Sequence, residues 1–389
     1  MTFVVTMSPA ELIRRVTAVG AMLGLALVGS IGTRQQAGRI TELWRASWPG
    51  RGTPVVAGNT AYYLTREREV VALALPAGAL IWRRPVLAHA AGIGVGSRLL
   101  VQHDLLIAGV DDLVAINRHD GRNVWRTGDV DGYRLGTYVG DVVGPLILCG
   151  SAAGRIVAVE WRTGRVAWQQ EVASDHRSTM FAPVADARGA VAAFTTFGAP
   201  AIGGLAAFDP ENGRVLWRRV FPAESGASSG WAGGPVLTAT LVVVADATGR
   251  IIGIDRDTGE IVWSIPYEPP VAGRPSVQEF RSLAVVDDTI FASALDGSVA
   301  AYRLSDRSTI WRYLDPRNGS AGFGLSTDPT RIWCPFIGGL VALDQRTGRE
   351  VWRAPGGATG NAQPPLIQHP LMLAAGSGGL LAFRVGDQP

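Results

Sequence analysis

The sequence contains no lysine, so all 36 of its basic side chains are arginine, and it holds only two cysteines. Charged residues make up 18% of the chain and the net charge is +3. Each shortage excludes something. Two thiols cannot build the disulfide framework that staples small secreted domains. A charge this low, with no basic run, does not make the electrostatic footprint of a nucleic-acid-binding protein. A hydrophobic fraction of 47% rules out a disordered chain. Walker loops, G-x-S-x-G and a G-x-G-x-x-G ahead of a helix are all missing, which leaves no catalytic constellation to build on. His89, His103, His119, His176 and His369 show neither HxH nor HExxH spacing, so no zinc site is expected. DVDG (129–132) and DRDTGE (255–260) loosely resemble calcium loops but lack the full ligand pattern. The carboxylate pairs in GVDD (109–112) and VVDD (285–288) fall where hairpin turns are expected, and aspartate is common there.

What the chain does have begins with one apolar run. Arg14 and Arg15 precede Val16–Thr33, eighteen residues without a charge. That pattern fits a signal or anchor segment over residues 1–35 with an apolar helix at about 16–33, followed by an exported domain over 36–389. No cysteine follows the run, so a lipid anchor is unsupported. The expected location is the cell membrane with the domain on its extracytoplasmic side, or secreted or periplasmic if the segment is cleaved.

The domain repeats. Trp44, Trp82, Trp125, Trp168, Trp217, Trp263, Trp311 and Trp352 are spaced by 38, 43, 43, 49, 46, 48 and 41 residues. Ten positions before each from Trp82 onward stands Ala72, Ala115, Ala158, Ala207, Gly253, Ala301 or Ala342. Four positions before stands glycine, except at Arg307. The fullest copies, IIGIDRDTGEIVW (251–263) and LVALDQRTGREVW (340–352), read as strand, turn, strand. Two further strand-like runs precede them, and four antiparallel strands per repeat of 40–50 residues make a propeller blade. The fold is therefore expected to be all-β, an eight-bladed propeller whose tryptophans dock between blades. The terminal copy LLAFRVG (380–386) lacks a tryptophan, while ITELWRA (40–46) has one without preceding strands. Residues 40–46 should therefore complete the last blade and close the ring, which removes free sheet edges. Cys149 and Cys334 then fall on second strands of opposite blades, too far apart to bond.

AINRHDGRNVW, AVEWRTGRVAW and AFDPENGRVLW resemble the pyrroloquinoline-quinone-like, or tryptophan-docking, repeat over residues 40–386. That resemblance implies one of two functions. One branch comprises quinone-cofactor (PQQ) dehydrogenases, which hold calcium or a lanthanide through Glu, Asn and Asp beside a catalytic Asp. The other comprises non-catalytic propellers, represented by the outer-membrane barrel-assembly lipoprotein. The sequence shows neither vicinal cysteines nor a placeable ligand set, and its repeats run nearly back to back. The expectation is thus a scaffold rather than an enzyme, binding a protein or envelope component, with no cofactor and no metal. PQQ with calcium and outer-membrane protein assembly are the alternatives.

The long intervals fall at 171–180, 220–234 and 267–280, between the last strand of one blade and the first of the next. They carry Arg177, Phe221, Trp231, Tyr267, Arg274 and Phe280, residue types favoured at interfaces, and form the candidate partner-binding rim.

Overall fold

A computed structural model describes residues 40–386 apart from 87–97, 110–111, 129–137, 152–153, 174–177, 197–201, 222–233, 247–248, 267–279, 318–323 and 355–363. The expected apolar helix at 16–33 lies outside the described residues. Within them the chain is entirely strand and turn, and it forms eight separate antiparallel sheets.

Each sheet is one repeat. Blade 1 runs Gly50–Ala57, Thr60–Thr65, Glu69–Ala74 and Ala79–Pro85, from inner to outer strand. Blades 2 to 7 follow in order, their outer strands being Asn123–Arg126, Val166–Glu171, Val215–Phe221, Ile261–Pro266, Thr309–Leu314 and Glu350–Arg353. Blade 4 splits its inner strand into Ser178–Met180 and Val184–Asp186, both paired with Gly189–Thr196. Blade 8 takes Leu366–Gln368, Leu371–Gly376 and Gly379–Arg384 from the end of the chain and Thr41–Ala46 from its beginning. The N-terminal strand pairs with Gly379–Arg384, placing Trp44 opposite Ala382. The ring closes as the sequence requires.

Alternation within strands explains the core. Second and third strands are buried on both faces, as with LILCG and RIVAVE of blade 3, because each blade is sandwiched between two others. The buried side chains fall into eight clusters, each shared by two consecutive blades. The cluster joining Tyr63 and Val71 of blade 1 to Leu373 and Ala382 of blade 8 completes the circuit.

Turn chemistry sets the hairpins between third and outer strands. In blade 5, Asp255 Oδ1 accepts hydrogen bonds from the amides of Asp257 and Thr258 and from the Thr258 hydroxyl. Those donors hold its carboxyl below the ordinary aspartate range. Gly259 follows at φ 74°, the left-handed region that glycine enters without steric cost. DRDTGE is thus a blade turn. Cys149 and Cys334 are free and buried on the second strands of blades 3 and 7, and desolvation pushes the Cys149 thiol up to about 12.

Candidate protein-binding surface

The outer strands carry the repeat's two recurring devices. From Trp82 onward each docking tryptophan lies directly across from the small residue ten positions before it, as with Ala72 and Trp82 or Ala301 and Trp311, while Trp44 lies across from Ala382. The small side chain leaves room for the indole, which reaches on to the next blade. Trp82, Trp125, Trp168, Trp217 and Trp311 donate Nε1–H to the carbonyls of Arg118, Trp161, Pro210, Arg256 and Gln345, at 2.8 to 3.2 Å. Trp44 donates in the same way to Pro76 across the closing seam. Each of these rings covers a hairpin glycine of the neighbour: a Cβ on Gly121 would stand 2.9 Å from Trp82 Cε3, and one on Gly164 2.5 Å from Trp125 Cε3. Trp263 and Trp352 depart from the pattern. The hairpin following Trp263 offers Arg307 (φ 65°) in place of glycine, and the Trp263 ring occupies the space beside Gly253 on its own sheet. Trp352 faces the seam, where no hairpin exists, and packs edge-on against Trp333 and Phe383.

The second device is a β-bulge. In all eight blades the register slips by one at the residue before the tryptophan. That residue is Leu43, Ile81, Val124, Ala167, Leu216, Val262, Ile310 or Val351. All eight are exposed, and all but Ala167 are large hydrophobic side chains. Of the large hydrophobic side chains exposed among the described residues, every one except Ile337 lies on an outer strand. Apolar exposure is therefore a feature of the circumference. This surface was missed from sequence, although its signal is there: an aliphatic residue directly precedes the tryptophan in seven of the eight copies.

Between blades 1 and 2 the circumference opens into a cleft of about 450 Å³ lined by Pro85, Val86, Val114, Asn123, Val124, Trp125 and Arg126. Arg126 Nε donates to Asp112 Oδ2 at 2.6 Å. Asp112 is buried, and its Oδ1 has no partner among the described residues.

Charge networks tie other blades together. Arg256 of blade 5, itself buried, bonds Asp186 of blade 4 and holds that carboxyl below its usual range. Between blades 6 and 7, Arg353 bonds Asp315, Glu350 and the Tyr313 hydroxyl, while that hydroxyl donates to Glu350 Oε2. Glu350 is held low by Arg353 and then by Tyr313, whereas burial and the Glu350 carboxylate push the Tyr313 phenol up.

The six rim residues meet different fates. Arg177, Trp231, Tyr267 and Arg274 lie outside the described residues. Phe221 and Phe280 are corrected: both are buried, Phe221 among the blade 4–5 side chains and Phe280 among those of blades 5 and 6. Phe221 ends an outer strand and Phe280 begins an inner one, and both rings pack into the clusters between blades. The connectors themselves do run from outer to next inner strand, from Phe221 to Val236 and from Pro266 to Phe280. Among the described residues no three metal-ligating side chains stand close enough to hold an ion.

Comparison with known proteins covers nearly the whole ring. A family model described as outer membrane protein assembly factor BamB matches residues 35–195 and 201–387. An assembly factor of that name from Xanthomonas campestris is 32% identical over 126 residues, 32% of this chain and only 29% of that protein. The counterpart from Burkholderia pseudomallei is 21% identical over 367 residues, covering 89% of this chain and 88% of the relative. A quinoprotein ethanol dehydrogenase from Pseudomonas aeruginosa is 25% identical over 30% of this chain and 21% of its own. Among solved structures, BamB from Moraxella catarrhalis superposes with a TM-score of 0.62 at 15% identity, covering 89% of this chain and all of that one. Quinohemoprotein alcohol dehydrogenase from Comamonas testosteroni gives 0.66 at 13% identity, over 91% and 77%.

Proposed function

We propose, from the premise that this chain belongs to the family described as outer membrane protein assembly factor BamB, that it is a non-catalytic extracytoplasmic scaffold that binds a protein partner during envelope assembly. One observation carries the reading: a rigid closed ring whose exposed aliphatic side chains are concentrated on its outer strands. Rigid presentation of many loops and edges suits recognition, because the surface is ordered before the partner arrives. Tethering by the apolar segment at 16–33 belongs to the same proposal and follows from its uncharged length.

Crosslinking in the native envelope, followed by mass spectrometry of the purified chain, tests it. Recovery of an identified outer-membrane protein or a component of its assembly supports the scaffold. The dehydrogenase reading has its own test, since part of the chain resembles a quinoprotein. Purified protein incubated with PQQ and calcium should acquire neither the quinone's absorbance nor dye-linked alcohol oxidation; acquiring both would overturn the proposal.

A further inference from the structure

The cleft between blades 1 and 2 has the composition of a peptide site. Its floor is apolar, made by Val86 and Val114, and its lip is the exposed bulge residue Val124. Asn123 and Arg126 at the lip are exposed as well, so an occupant is covered on one side only. That geometry suits a chain laid along the groove better than a small ligand, which a pocket normally encloses.

Charge selects among chains. Arg126 stands at one end, its guanidinium fixed by buried Asp112. Just outside the lining, next to Pro85, Arg84 lays its stem against Gly121, and the neighbouring Arg122 is exposed beside Asp120. Among the described residues Arg84 has no acidic partner; its guanidinium reaches only the Arg83 carbonyl. The bulge at Val124 displaces the outer strand's register, so a visitor cannot simply extend the sheet and must be held by side chains. We propose that this cleft binds an extended peptide segment of the partner protein in which apolar and acidic residues alternate, with an apolar side chain seated against Val86, Val114 and Val124 and carboxylates meeting Arg84 and Arg126. The proposal rests on the scaffold reading only for the partner being a protein.

The test is fluorescence anisotropy with a labelled synthetic peptide alternating leucine and aspartate, titrated with the full chain. Saturable binding is expected. Val124→Asp should weaken it about tenfold or more, the effect of withdrawing one buried aliphatic contact. Arg84→Gln should weaken it more modestly and flatten its salt dependence. Val124→Asp should keep the wild-type melting temperature, because Val124 is 52% exposed. Val262→Asp, an equally exposed bulge residue on blade 5, should bind as wild type. No saturable binding, an equal loss in Val262→Asp, or equal affinity for a leucine–lysine peptide would each overturn the site. Any of these beside a crosslinked envelope partner would remove the cleft and leave the scaffold standing.

Discussion

At Gly253 and Arg307 two irregularities of the repeat compensate each other. Every other copy has alanine where blade 5 has Gly253, and in blades 1–5 and 7 the hairpin has glycine where blade 6 has Arg307. Arg307 keeps the left-handed backbone that the hairpin demands, at φ 65°. Its side chain carries a Cβ where the other hairpins have none, and its guanidinium turns back to the Ser305 carbonyl. Trp263 instead sits over Gly253, where a Cβ would come within 2.1 Å of its Cε2. Restoring the consensus at one site alone is therefore expected to fail. Gly253→Ala should cost about 1–3 kcal/mol by overpacking. Arg307→Gly should be near neutral, since relieving the strain offsets the greater freedom of the unfolded chain. The double variant should recover at least about 0.5 kcal/mol of the loss, a coupling that denaturant melts of the four proteins would measure. Additive losses would show that the two positions do not communicate through Trp263.

Among strands, the outer pair of blades 6 and 7 is joined by Tyr313, Glu350, Arg353 and Asp315 rather than by apolar contact alone. Arg353 and Asp315 are largely buried, so the network is screened less than a surface pair. Glu350 has a folded pKa below its ordinary value, so its stabilising contribution is complete above the usual glutamate range of about 4.3 and fades as pH falls below it. Glu350→Gln should lower the melting temperature at neutral pH, and its gap to wild type should narrow as pH is taken from about 6 towards 3. A constant gap would exclude the ionised form as the cause. Much at this scale was legible beforehand. The tryptophan spacing gave the blade count, the hairpins and the pairing of residues 40–46 with the terminal copy, because each is local and repeated. The split inner strand of blade 4 was not, since two three-residue pieces around Pro183 carry no periodicity. Phe221 and Phe280 were misread for a related reason. Aromatic composition at a connector says nothing about direction, and both rings belong to strand ends that face the core. The exposed bulge residues were overlooked because their meaning depends on a register shift that only the paired strands reveal.

For the molecule as a whole, stability is distributed around a circuit of eight inter-blade clusters, with no single central core. The circuit is closed where the two ends of the described chain meet. Trp44 is the residue of the N-terminal strand that docks on blade 1, bonding Pro76 and covering Gly78. Trp44→Ala should cost about 3 kcal/mol and do so by opening the seam. Hydrogen exchange should show lost protection first in Gly379–Arg384, the strand left at the edge. Uniform loss of protection around the ring would instead mean that the eight sheets unfold together.

That seam also orders events in time. The first strand among the described residues has its partner in the last of them, more than three hundred residues later. A nascent chain therefore carries an unmatched ribbon through nearly its entire production, and no shortened product can latch itself shut. Ribosomes that stop early, or proteases that trim the tail, should yield species that cells recognise as unfinished, so that only full-length copies accumulate.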